Sequence, residues 1–270
     1  MAHAAYATND GVSLCYEREG PHDAETVVFV EGLAYGRWMW RWQRDPLSEM
    51  YDTIVVDNRG TGDSDAPPGP YSVETMAADL DAVLEHAGVE SAHVVGASMG
   101  GMIALQYALD YDRAESLALF CTSLGGEEAV PTPPETQAQM FDVPEELDER
   151  EAIRYKMAPA MTEEFAASND DLLAQIVDWR LDSDADEDAR TAQATAVATF
   201  DVSDRLTELT LPTLVLHGTA DRVLPIENGE RLAARLPNTT FERVDGGSHL
   251  FFVERADSVT ARLREFLDGH

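Results

Sequence analysis

Gly96-Ala97-Ser98-Met99-Gly100 constrains this chain more than any other stretch, because of what flanks it. Before it, Ala92-His93-Val94-Val95 is a short apolar run that reads as a buried strand. After it, Gly101 to Ala108 reads as a helix. A serine on a sharp turn between strand and helix sits in a crowded backbone conformation with its hydroxyl projecting. The residues two before and two after it must then be almost free of side chain, and Gly96 and Gly100 meet that demand. The five-residue pattern alone arises by accident in roughly one chain in ten of this length. A Gly-rich turn of this kind can also serve only to pack a helix closely on a strand, so the rest of the chain must decide.

At 270 residues and 44% hydrophobic, the chain can bury a full core as one large α/β domain. No segment approaches the roughly eighteen continuous apolar residues of a membrane span. Met1-Ala2-His3-Ala4-Ala5-Tyr6 lacks the basic-then-apolar order of a secretory leader. Cys15 and Cys121, the two cysteines, fall on what read as different strands, which points to buried free thiols in a reducing, cytoplasmic compartment. Fifty-one Asp and Glu face nineteen Lys and Arg, a formal net charge of −32, and Lys156 is the only lysine. Such a charge repels nucleic acid and anionic membranes and counts against both as partners. A small domain usually carries a net charge of only about 2–8. The profile resembles that of proteins from extreme halophiles. At about 1 M salt the screening length is near 3 Å, so carboxylate repulsion largely vanishes. Stability is therefore expected to rise with salt, and an unfolding midpoint unchanged between roughly 0.1 and 2 M KCl would contradict this.

Strand and helix signals alternate through the first half. Ala4 to Thr8 and Val12 to Arg18 are short alternating runs joined by the hairpin turn Asn9-Asp10-Gly11. Thr26 to Val30 and Thr53 to Val56 are continuous apolar runs, as expected of strands covered on two faces. Ser72 to Ala87 has helical spacing and ends at Gly88. Ser116 to Cys121 reads as the strand after the elbow helix. From Gly125-Gly126 to about Asp204 the chain turns acidic and proline-punctuated, with helical patterns and no convincing strand. Alternation returns with strand Thr213 to His217, helix Ile226 to Leu236, strand Thr240 to Val244 and helix Ala256 to Leu267. The expected architecture is an α/β fold: an eight-stranded, mostly parallel sheet covered by helices on both faces, formed by 1–124 and 206–270, with 125–205 inserted as a helical cap.

Serine is a poor nucleophile at neutral pH and needs a base, plus a carboxylate to orient that base. Asp221 follows the strand end Leu216-His217-Gly218-Thr219-Ala220, and His249 lies in Asp245-Gly246-Gly247-Ser248-His249, just past the last strand. Both fall at the carboxyl edge of the sheet, where open α/β folds place their sites. Each has a plainer alternative: Asp221 as a turn cap, His249 as a turn residue. His217, at a strand terminus, competes with His249 but reads as structural, as do His86 and His93. At the end of the strand before the cap, Cys121-Thr122-Ser123 offers no carboxylate until Glu127, which favours Asp221 as the acid. No histidine pair or cysteine cluster stands at metal-ligand spacing, so neither metal nor other cofactor is expected.

With these segments the chain resembles the α/β-hydrolase superfamily over nearly its whole length, the cap being the divergent part. Asp57-Asn58-Arg59-Gly60-Thr61-Gly62-Asp63-Ser64 is similar to the family's loop after the fourth strand and reads as a structural tie. The nearest branch is that of small esterases, 3-oxoadipate enol-lactonase-like hydrolases and cofactor-free haloperoxidases. The resemblance implies a serine hydrolase with Ser98, Asp221 and His249 as its triad and the backbone N–H groups of Leu33 and Met99 as its oxyanion hole. It implies cleavage of an ester or lactone of a small to medium apolar acyl compound through an acyl-enzyme. Thioester or carbon–carbon cleavage, perhydrolysis, and a non-catalytic receptor on the same fold are the rival readings. The chain departs from the family at Glu31-Gly32-Leu33, where the loop usually begins His-Gly. A carboxylate facing a developing oxyanion would oppose catalysis, so the Glu31 side chain is expected to point away or accept hydrogen bonds. Trp38, Trp40, Trp42, Met140, Phe141, Met157, Met161, Phe165 and Phe200 are candidates for the pocket, with packing expected for about three in four.

Overall fold

The computed structural model describes residues 3–270; Met1 and Ala2, which open the segment read for a leader, lie outside the described residues. Eight strands form one sheet: β1 (His3–Asn9), β2 (Val12–Glu19), β3 (Thr26–Val30), β4 (Asp52–Val56), β5 (Ala92–Ala97), β6 (Ala114–Phe120), β7 (Thr213–Gly218) and β8 (Thr239–Val244). Their order is β1-β2-β4-β3-β5-β6-β7-β8. Only β2 runs against its neighbours; β4, β3 and β5 to β8 are parallel. The β1–β2 turn places Asp10 and Gly11 at φ +47° and +82°, the left-handed pair that a two-residue hairpin requires.

The continuous apolar runs are explained by the two faces they serve. Val28 and Val30 of β3 and Leu117 and Leu119 of β6 enter one core, whereas Val27, Phe29, Ala118 and Phe120 enter the other. Alternate residues point to opposite faces, so a strand covered on both sides must be apolar throughout. After α1 (Arg41–Leu47), α2 (Val73–His86) and α3 (Met99–Asp110) cover the first face. The Ser72 hydroxyl caps α2 by accepting from the Thr75 N–H at 3.1 Å, and Gly88 ends it at φ +70°.

Between β6 and β7 lie five helices: α4 (Pro134–Phe141), α5 (Glu149–Met157), α6 (Glu163–Ser168), α7 (Asp170–Ser183) and α8 (Glu187–Thr199). The excursion leaves and returns at one place. Gly125 forms an antiparallel bridge with Asp201, and the Val202 N–H donates to the Leu124 carbonyl at 3.0 Å. Helices α9 (Glu227–Arg235), α10 (Phe251–Glu254) and α11 (Ala256–Leu267) complete the chain. Among the described residues no helix is long and apolar enough to cross a membrane. Cys15 and Cys121 are both buried free thiols.

Candidate active site

The sheet order reverses between β4 and β5, with β3 between them, and the candidate residues gather at that crevice. Ser98 follows β5 at φ +55°, ψ −120°, in a region closed to most side chains. The glycines around it are required by contact. A Cβ on Gly96 would lie 2.2 Å from the Gly100 carbonyl oxygen, and one on Gly100 would lie 2.1 Å from that of Val30. The turn is therefore wedged between β5, α3 and β3. Among the described residues, the non-glycine positions with positive φ are Asp10, Ala34, Ser98 and Cys121. The last three stand just past β3, β5 and β6, so backbone strain of order 1–3 kcal/mol per residue is concentrated at this edge.

Asp221 and His249 are brought together as the sequence suggested. His249 Nδ1 donates to Asp221 Oδ2 at 2.8 Å. Asp221 Oδ1 accepts from the Val223 and Leu224 N–H groups at 2.8 and 2.9 Å, which fixes the carboxylate. Burial opposes its charge, but the His249 imidazole and the bonds from His217 and His249 overcome that and hold its pKa down at about 2. It is ionised throughout the neutral range. His249 Nε2 has no hydrogen-bond partner among the described residues, and His249 lines a cavity together with Ser98, Gly32, Leu33, Met102 and Cys121. The Ser98 hydroxyl has no hydrogen-bond partner among the described residues, a looseness common in unliganded sites.

The Leu33 and Met99 N–H groups have no protein acceptor among the described residues, although neighbouring amides of the same loop do. Gly32 donates to Met39 Sδ at 3.2 Å and Ala34 to Gln193 Oε1 at 2.7 Å. Two unpaired donors beside the half-buried Ser98 hydroxyl have the arrangement that stabilising a developing oxyanion demands.

Glu31 is fully buried, and its Oε2 accepts from the Asn58 N–H at 3.3 Å. Burial, then the nearby Asp57 charge, pushes its pKa well above the ordinary carboxylate range. The Glu31 side chain thus accepts a hydrogen bond from the 57–64 loop, as expected of a carboxyl at this position. Asp57 itself is paired with Arg37, and Arg59 with Asp79 at 2.5 Å, which makes the 57–64 loop a tie between elements.

His217 does more than the sequence reading allowed. Fully buried, it donates from Nε2 to the Leu224 carbonyl at 2.9 Å and stands 3.3 Å from Asp221 Oδ2. It thus braces the same Asp221 oxygen that His249 holds. Cys121 Sγ, Asp221 and His249 also place donor atoms within 4.8 Å of one another. Asp221 and His249 already satisfy each other, and burial, then the Asp221 charge, pushes the Cys121 thiol well above its ordinary pKa. Deprotonation for metal ligation is opposed there.

Of the nine apolar candidates for the pocket, Met140 and Phe141 line the cavity. Trp40 is instead packed against Phe29 and Phe252, and Trp38 against Trp42 and Trp179. The cavity of about 570 Å³ is roofed by α4, α5, α7 and α8 and contains several polar groups that the sequence reading did not single out, among them Tyr35, Lys156, Arg180 and Arg190.

Comparison with known proteins agrees with this architecture. The model of the alpha/beta hydrolase fold family matches residues 25–256. "Putative carbamate hydrolase RutD" of Caulobacter segnis is 31% identical, over 97% of this chain and 98% of that protein. The 3-oxoadipate enol-lactonase 1 of Acinetobacter baylyi is 27% identical, over 94% and 93% of the two chains. Among solved structures, a thermophilic esterase from Thermogutta terrifontis superposes with a TM-score of 0.83 at 30% identity, covering 99% of each chain. The chain belongs to the α/β-hydrolase family.

Proposed function

We propose that this protein is a serine hydrolase that cleaves a carboxylic ester or lactone through an acyl-enzyme, with Ser98 as nucleophile, His249 as base and Asp221 as its orienting acid. One observation carries the reading: His249 is clamped to an ionised Asp221 through Nδ1 while sharing a cavity with Ser98, which is held on a positive-φ turn. Ser98 Oγ attacks the carbonyl carbon as His249 Nε2 takes its proton, and the oxyanion is met by the Leu33 and Met99 N–H groups. His249 returns the proton to the departing alkoxide. Water then attacks the acyl carbon by the same route, giving the acid and regenerating Ser98. Relatives named for esterase, lactonase and carbamate hydrolase chemistry support an acyl-type substrate.

In this reading 125–205 is a cap, its ends joined at the Gly125–Asp201 bridge, and it sets the substrate range. The −32 charge supports a protein adapted to concentrated salt, with stability rising into molar KCl, and the two buried free thiols support a reducing, cytoplasmic setting. A panel of nitrophenyl esters and lactones in molar KCl tests the proposal. Turnover of at least one class, abolished in Ser98→Ala, is expected. Turnover that survives Ser98→Ala would refute the assigned nucleophile.

A further inference from the structure

The roof of the cavity carries three cationic side chains in a chain that has few of them. Lys156 of α5, Arg180 of α7 and Arg190 of α8 all line the space above Ser98 and His249. Cations on the outer faces of the same helices are matched with carboxylates: Arg150 with Asp178 at 2.5 Å and Arg154 with Asp170 at 2.6 Å. Of the inner ones, Arg180 is paired with Asp184, whereas Lys156 and Arg190 have no ion pair among the described residues. Arg190 gives Nη2 to the Met140 carbonyl at 2.5 Å and lies 4.8 Å from the Phe141 ring centroid. Lys156 has no ion pair among the described residues. Arg180, only 6% exposed, gives Nε to Asp184 at 2.7 Å, while its buried Nη1 has no acceptor among the described residues.

A role in joining the helices would place each charge opposite a carboxylate, and with fifty-one available that would be simple to arrange. Instead, burial and the mutual repulsion of these groups push Lys156 and Arg190 below their ordinary ranges. The carboxylates on the same cavity are Asp184, held by Arg180; Asp186, which accepts from the Ala189 N–H at 2.8 Å; and the exposed Glu149. The rest of the lining is largely apolar, so an uncharged ligand leaves Lys156 without an ion-pair partner and the buried Arg180 Nη1 without an acceptor.

Resting on the hydrolase reading above, we propose that Lys156, Arg180 and Arg190 form a subsite for a carboxylate, and that the substrate is an ester or lactone carrying one a few methylenes from the scissile carbonyl. A guanidinium and a carboxylate match in planar geometry, and about 570 Å³ accommodates a short dicarboxylate half-ester.

The test compares kcat/KM for 4-nitrophenyl hydrogen glutarate with that for 4-nitrophenyl pentanoate, whose acyl chain has the same length without the charge. The protein should prefer the anion by about tenfold or more. Lys156→Met, which keeps the aliphatic stem, should collapse that ratio toward unity, while Arg150→Met on the outer face should leave it unchanged. A preference for pentanoate, or a ratio indifferent to Lys156→Met, would overturn the subsite. The hydrolase reading is separated by binding to Ser98→Ala, measured by calorimetry with monomethyl glutarate and methyl pentanoate. Tighter binding of the anion, lost when Lys156→Met is added, supports the subsite even if neither ester is turned over; equal binding of the two refutes it even if both are.

Discussion

The floor and the roof of the cavity are built by different rules. On the floor, short segments at strand ends are fixed by backbone contacts: Gly100 has no space for a Cβ against β3, and Gly218 none against the Gly247 carbonyl, 2.2 Å from where one would stand. Ser98, Asp221 and His249 are each thereby placed by a few consecutive residues. On the roof, helices α4 to α8 present side chains whose positions depend on how several distant faces pack. In the proposed function, chemistry belongs to the part fixed by backbone contact and substrate choice to the part built from side chains.

The largest effects should come from the floor. Ser98→Ala or His249→Ala should each lower kcat by roughly a millionfold with the fold intact by circular dichroism. A fall under about a hundredfold would show that the floor is not the reactive region. Asp221→Asn should cost about 10⁴-fold, because the amide no longer fixes the imidazole tautomer. The same residue has a stability consequence. Its folded pKa is lowered to about 2, so its contribution is present above the ordinary carboxylate range and is lost as pH falls toward that value. Asp221→Asn should therefore narrow the stability difference between pH 7 and pH 2, as read by denaturant midpoints.

Roof substitutions should act on a smaller scale and on another parameter. Phe141→Ala should change KM across an ester chain-length series by about three- to tenfold while kcat for the best substrate changes little. An equal fall in kcat for every substrate would erase the contrast between roof and floor. The smallest effect is expected at Glu31, which belongs to the floor but not to its chemistry. Glu31→Gln should alter kcat less than about tenfold, since the Leu33 N–H is a backbone group. Its raised pKa means that the folded form binds a proton which the unfolded form releases as pH rises. The native carboxyl thus costs more stability at pH 8 than at pH 4. Glu31→Gln should raise the melting temperature by roughly 2–4 °C at pH 8 and less at pH 4, the scale of about 1 kcal/mol.

How far each region was legible follows from the same contrast. Alternation and glycine placement carry β3, β5, β6 and the elbow, and the strand-end segments carry Asp221 and His249, because each is a local statement. The bracing of Asp221 by His217 was not legible, since it depends on the Leu224 carbonyl being turned back onto the strand end. The raised pKa of Glu31 was within reach: parallel pairing of Val30 with Val56 sets Glu31 beside Asp57, two carboxyls at one buried edge. The convergence of Lys156, Arg180 and Arg190 was not, because three helices must pack before those residues share a space. Their spacing along the chain carries no such signal.

The central claim is that His249 makes the Ser98 hydroxyl reactive. Intact-mass measurement after a fluorophosphonate reaction tests it most directly. The account predicts one adduct per chain, mapped to Ser98 by peptide fragmentation and lost in His249→Ala. An adduct on another residue, or labelling of Ser98 at an undiminished rate in His249→Ala, would contradict it.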